Sequence, residues 1–321
     1  MKRLIRAVPF AAAGVLLAGS APAQETCPGF RDMAEAAVPT AAGDREVMAR
    51  LLGVKVGAQL SQSFDPATAE KAVGDHLHPD AGCRRAGAAP CFYRNRISGS
   101  VLHLKLPAGR ATYLNPSRRF LGARGVDNPV TEAEAQRLAL AGFAGFGVPA
   151  AEMGPPFVRA LMAATQDAAL KTKTQILKAE VHVNVQRHVE GTPVFASRLM
   201  AAVSAKDQIA RLYVEWPDFS LLPGLSPAGT RPRPAVVESV VEKMGADNPC
   251  GSVAHVMAHI AYVPARLADP QEEDNGGAEG ENAGAFVPAL VVFAVPPEAR
   301  DGEVQLGEEQ FVVPLLTPPP R

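Results

Sequence analysis

Aromatic residues make up only 6% of the 321 residues, and tryptophan occurs once. Neither sign of charge dominates, since 32 Lys and Arg stand against 33 Asp and Glu. A nucleic-acid surface announces itself by clustered Lys and Arg; the chain has no such cluster, so no nucleic-acid partner is expected. Beyond the N-terminus no apolar run reaches the ~20 residues that a spanning helix needs. The four cysteines include no C-x-x-C pair, which argues against a Cys-based metal site. H-E-x-x-H and the phosphate-cradling glycine loops are missing too, so no cofactor is expected.

The first residues set the expected compartment. Lys2, Arg3 and Arg6 form a positive n-region, "AVPFAAAGVLLAG" an apolar h-region, and Ala21-Pro22-Ala23 an A-x-A cleavage site. Residues 1–23 therefore read as a signal peptide, and no Cys directly follows the apolar run to mark a lipoprotein. The remaining chain carries 29 cations against 33 carboxylates, a net charge of −4. It is expected to be exported, periplasmic or extracellular, with no integral membrane segment after cleavage. In an oxidising compartment four cysteines read as disulfides, with three connectivities. Cys83 and Cys91 flank the short polar loop "RRAGAAP"; pairing them leaves Cys27 with Cys250.

Thr131 to Glu134 forms a capping box, with the Thr131 hydroxyl placed to accept from the Glu134 amide. The helix it starts carries Leu138, Ala141 and Phe146 near one face and stops at Gly147, before Pro149. A second helix is expected from Pro155-Pro156, with Phe157, Leu161, Ala164 and Ala168 on one stripe. The period then becomes two. Leu177, Ala179, Val181, Val183 and Val185 alternate with Lys178, Glu180, His182, Asn184 and Gln186, a half-buried strand with one solvated face. Glu190-Gly191 turns the chain, and Pro193 is confined to the first residues of the returning strand or to an edge. After a turn at residues 205–208, "IARLYVEW" puts Leu212, Val214 and Trp216 on one face.

"RPRP" around residue 232 reads as a linker before a helix carrying Val236, Val237, Val240, Val241 and Met244. Three strands follow, in "SVAHVMAHIAYV", "AFVPALVVFAV" and "EQFVVPLL". Earlier, a helix at "PATAEKAV" precedes strands at "SVLHLKL" and "ATYLN". The expected fold class is α+β, helices followed by three-stranded antiparallel meanders, in two or three such units packed together. Residues 24–125 form an N-terminal α+β region with the disulfide loop, 126–225 a central domain, and 226–321 a C-terminal helix with three strands.

The stretch "VHVNVQRHVEGTPVFASRLMAAVSAKDQIARLYVEW" resembles the central hairpin of PepSY-like modules, including the propeptides of fungalysin- and thermolysin-type proteases. The likeness rests on Arg187, Gly191, Pro193, Val194, Ser197, Arg198, the turn at Lys206-Asp207-Gln208, and Trp216, with the preceding helix "TEAEAQRLALAGFAGFGVP". It covers about residues 126–225. The resemblance implies a non-catalytic module that inhibits or chaperones a peptidase, or binds partners in the bacterial envelope. Protease precursors follow the propeptide with a catalytic domain carrying H-E-x-x-H. This chain has none, so a target peptidase would be a separate protein.

His255 and His259 lie four apart, but the surrounding alternation is that of a strand, where that spacing spans about 13 Å and cannot share an ion. Asp75, His76, His78, Asp80 and Cys83 make the better metal candidate, with His76, His78 and Asp80 as the ligands of a metal-binding protein or metal-dependent hydrolase. Gly224-x-Ser226-x-x-Gly229 misses the nucleophile-elbow spacing. In "QEEDNGGAEGEN", a calcium loop around Gly276 would put Gln271 and Asn282 where carboxylates are required. The leading expectation is an exported, non-catalytic binding protein for a protein or peptide partner. A metal protein using His76 and His78 and a structural envelope component are the alternatives.

Overall fold

A computed structural model of the chain describes residues 27–55, 59–80, 83, 90–119, 126–165, 175–204, 208–268, 285–296 and 310–317. The expected signal peptide and the acidic stretch 271–282 lie outside the described residues. The elements in chain order are helices α1 (Phe30–Ala37), α2 (Arg45–Leu52), α3 (Leu60–Ser63) and α4 (Pro66–Val73), then strands β1 (His78–Pro79), β2 (Cys91–Asn95), β3 (Ser100–Lys105) and β4 (Arg110–Leu114). Helix α5 (Glu132–Gly145) precedes β5 (Phe157–Thr165), β6 (Gln175–Val189), β7 (Thr192–Ser204), β8 (Gln208–Glu215) and β9 (Ser220–Leu221). The chain continues through α6 (Arg233–Asp247), β10 (His255–Pro264), α7 (Ala265–Ala268), β11 (Ala285–Val295) and β12 (Gln310–Pro314).

These strands form one mixed twelve-stranded sheet, in the order β1-β2-β3-β4-β8-β7-β10-β11-β12, with β5 and β6 branching from β7 and β9 paired to β11. This corrects the expected fold class of helix-then-three-strand meanders. The runs β6-β7-β8 and β10-β11-β12 are antiparallel, but they are not separate units. β4 pairs β8, and β7 pairs β10 in parallel at Val194–Tyr262. The reason lies in the edges. A strand left at an edge exposes a row of backbone donors and acceptors, and a neighbour that pairs with it satisfies them.

The expected helix from Pro155 is also overturned, because residues 157–165 are strand β5. Its Ala, Leu and Met content favours a helix, yet β6 runs fifteen residues and needs a partner on its second side. Pairing with β6 from Phe157–Asn184 to Thr165–Gln175, with a bulge at Leu161/Met162, meets that need. Tertiary hydrogen bonding outweighs local propensity here.

Other local readings hold in part. The Thr131 hydroxyl accepts from the Glu134 amide at 3.2 Å and starts α5. The buried side of α5 is Ala135, Ala139, Gly142 and Phe143; of the expected stripe Phe146 is buried, Leu138 half-buried and Ala141 exposed. Glu190 and Gly191 both take positive φ, 46° and 81°, the two-residue turn that matches strand twist. Pro193 is the second residue of β7, opposite His188. The "RPRP" stretch is pinned rather than loose: Arg231 donates to the Pro314 carbonyl and to Ser239, and Arg233 donates to the Val38 carbonyl.

Two large cores result. One gathers Val181, Val183, Leu199, Leu212, Val214 and Trp216 with Phe143 of α5 and Val73 of α4. The other joins α1 and α2 to α6, β10 and β11 through Phe30, Met48, Val240, Met244, Tyr262 and Phe286. Residues from both ends of the chain thus share a core, and the Cys27–Cys250 disulfide links them, as expected. In the chain-entropy picture, closing a loop of 223 residues is worth about 5 kcal/mol. The second disulfide is Cys83–Cys91. Among the described residues no helix is long and apolar enough to cross a membrane. Two disulfides are consistent with an exported protein.

Candidate functional site

Helices α4 and α5 cover one face of the sheet formed by β5, β6, β7, β8, β4, β3 and β2. The side chains that alternate with this core belong to the other face. Its rows follow from the register. Arg159, His182, Ala202, Arg211 and Leu114 stand side by side from β5 to β4. A neighbouring row runs Phe157, Asn184, Met200, Tyr213 and Thr112, and continues through His103 to Phe92. Seven strands at about 4.8 Å spacing make this face about 29 Å wide.

The charges on this face are layered. Glu180 belongs to the alternating set that reads as solvated, yet its side chain is only 2% exposed. Arg211 Nη2 donates to Glu180 Oε2, His182 Nε2 lies 3.3 Å from the same oxygen, and Arg119 Nε is 3.7 Å from Oε1. Burial alone would lift the Glu180 carboxyl, but hydrogen bonds from His182 and Arg211 hold it below its ordinary value. Glu215, 14% exposed, takes both Nε and Nη2 of Arg110 and has Arg198 at 3.7 Å. The guanidinium groups stand above these carboxylates, and Arg198 is 72% exposed. Arg198 covers the Tyr213 ring at 5.5 Å; Arg94 covers Phe92 at 5.4 Å, and the Phe92 ring stacks on His103 at 4.3 Å.

The edge beside this face is β5, which among the described residues pairs with β6 alone. Phe157 and Met162 on it are 63% and 52% exposed, and Leu161 is exposed as well. On this nine-residue edge strand of apolar side chains, one charge, Arg159, and the bulge at Leu161/Met162 are the only devices that blunt the edge among the described residues.

At the far end of β6 lies a buried ionic knot. Arg187, 1% exposed, donates from Nε to Glu152 Oε2 at 2.7 Å and from Nη1 to the Pro217 carbonyl at 2.7 Å. Its guanidinium lies 4.7 Å from the Trp216 ring and 5.6 Å from Phe219. Burial pulls Arg187 below its ordinary value, and the Glu152 carboxylate pulls it back up. Opposite it β7 departs from β6, with Ala196 at φ 62°, and Val194 is freed to reach Tyr262 of β10.

The metal candidates are dispersed. Asp75 accepts from Asn95, Tyr113 and Asn115, a knot that ties the end of α4 to β2 and β4. Asp80 accepts from Arg94 at 3.0 Å, His78 pairs with Arg94 at the sheet edge, and His76 and His78 are exposed. Among the described residues no three His, Cys, Asp or Glu gather as a metal site. His255 and His259 lie on strand β10, and His259 stacks on Phe293 at 5.5 Å. Ser226 caps a short turn by accepting from the Ala228 amide.

The reading of alternation missed Arg187, Glu180 and Arg211. Arg187 shares the odd-numbered, core-facing parity of Leu177 to Val185, which was the available signal. The partners Glu152 and Arg211 come from distant segments and left none. No family model, no curated protein and no solved structure matches the chain.

Proposed function

We propose that the chain is a non-catalytic binding protein that acts outside the cytoplasm on a protein partner, in the manner that its resemblance to PepSY-like modules implies. Inhibiting or chaperoning a separate peptidase is the most concrete form of this reading. One observation carries it: β5 is a long, apolar edge, single-paired among the described residues, where an extended segment adds by main-chain hydrogen bonds and anchors its side chains on Phe157, Leu161 and Met162. Two disulfides support a compartment where such a partner would be met.

A photo-crosslinking residue placed at Met162 in the native host tests this. Expected is a discrete adduct with one protein, absent when the same residue replaces Ile97, which is 99% exposed at the tip of the β2–β3 hairpin. Purified adduct partner, if a peptidase, should be slowed by the chain. Adducts that form equally from both positions, or from neither, would overturn the reading.

A further inference from the structure

The open face beside β5 adds the chemistry of the partner, and this step rests on the binding reading above. We propose that this face docks an acidic segment of the partner, one that mixes Asp or Glu with apolar residues.

Charge segregation carries the inference. The chain after residue 23 is net negative, −4, yet this face shows solvent mostly cations. Of its carboxylates, Glu180 and Glu215 are sunk to 2% and 14% exposure and each is shared among several cations, while Asp80, 45% exposed, is matched by Arg94. Arg94, Arg110 and Arg198 project, with half or more of their side-chain surface exposed or nearly so. Arg159 is exposed on the edge strand and has no ion pair among the described residues. A face whose anions are buried or paired and whose cations protrude repels basic segments and attracts acidic ones, which sets specificity and association rate.

The apolar component follows from the same rows. Phe157 and Leu114 stand exposed between the cations. Their register places apolar and cationic positions on adjoining rows, so a partner segment needs both kinds of side chain. A nucleic-acid strand fits less well. Single-strand binders offer free aromatic faces to the bases, whereas Phe92 here stacks on His103 beneath Arg94, and Tyr213 lies under Arg198.

Selection from a library of random peptides against the full exported chain tests the proposal. Expected is at least about a twofold enrichment of Asp and Glu over the input, in peptides that also carry apolar residues. Their affinity should fall about tenfold or more in the Arg159→Glu/Arg198→Glu double variant, and fall with rising salt. Both residues are exposed, and an unchanged melting temperature shows the variant folded; Arg159→Gln/Arg198→Gln should give an intermediate loss. Neutral or basic consensus peptides, peptides indifferent to the double variant, or no enrichment at all would overturn it. An oligo-dT strand that binds through the same arginines, with no acidic peptide selected, would assign the face to nucleic acid and overturn it as well. A Met162 adduct that persists in the double variant would remove the acidic-segment inference alone and leave the edge-binding reading standing.

Discussion

Arg187→Met tests whether the buried ionic knot holds the two cores together. The substitution removes the cation but keeps an unbranched, apolar side chain of similar reach. It leaves the Glu152 carboxylate and the Pro217 carbonyl without the 2.7 Å donors they have now, at a site where Arg187 is 1% exposed. Breaking a buried pair by deleting one partner costs about 3–5 kcal/mol, because an uncompensated charge stays inside. The lost stacking on Trp216 is part of that figure. Urea unfolding reads the cost, with Trp216 as a built-in reporter: it is the single tryptophan, fully buried, 4.7 Å from the guanidinium. The Arg187→Met/Glu152→Leu variant removes both charges and should recover at least half of the loss, since apolar replacement of a whole buried pair is often neutral. Trp216 belongs to one core, and Phe219 and Val189 to the other. The single variant should therefore show a fluorescence midpoint below that of far-ultraviolet dichroism, as the cores come apart in sequence. A cost under about 1 kcal/mol, or a double variant no better than the single one, would refute the idea that the knot is a staple.

Two glycines with the same backbone sign should respond differently to alanine. Gly191, at φ 81° with open space around it, carries only the left-handed strain of about 1–2 kcal/mol, while Gly109, at φ 61°, would also drive a Cβ into the backbone of Trp216 and Pro217 and should cost clearly more; equal melting shifts would contradict this. Stability should also depend on pH in a fixed direction. Burial lowers His103, His188 and His259, so the unfolded chain binds more protons, and their contribution is full above the ordinary histidine value and lost as pH falls from about 7 to 5. Glu180 and Asp75, both held low, add a further loss below about pH 4.5 as they protonate. Thermal melts across this range check it. His259→Phe should reduce the slope of the first window and leave the second unchanged, and a slope identical to the parent would sink the assignment.

What was legible from the chain was what its nearest neighbours decide. The period of two from Leu177 to Val185, the Glu190-Gly191 turn and the parity of Leu212, Val214 and Trp216 are local, and each is present in the structure. So is the Thr131 cap, a contact across three residues. The pairing of Cys27 with Cys250, 223 residues apart, was reached by elimination, and elimination works only because cysteines are few. Strand pairing between β4 and β8 or β7 and β10 leaves no such trace, since any edge offers the same backbone groups to any other. Hence the meanders expected as packed units join into one sheet.

The same limit explains β5 and the candidate face. "FVRALMAAT" satisfies a helical stripe and a strand alternation about equally, and the unpaired side of β6, outside the stretch itself, decides between them. Once β5 is a strand, Arg159 lands beside His182 and in one row with Arg211, residues 23 and 52 positions further along the chain, and the cationic row exists. Had residues 157–165 been helical, that row would have ended at His182, and Phe157 and Leu161 would have pointed into a core rather than to solvent. The binding edge and the charge of the face beside it therefore follow from one choice, made by the hydrogen-bonding needs of a fifteen-residue strand. Locally, the chain did not have to make it. The test at Met162 and the tests at Arg159 thus probe two consequences of a single long-range pairing.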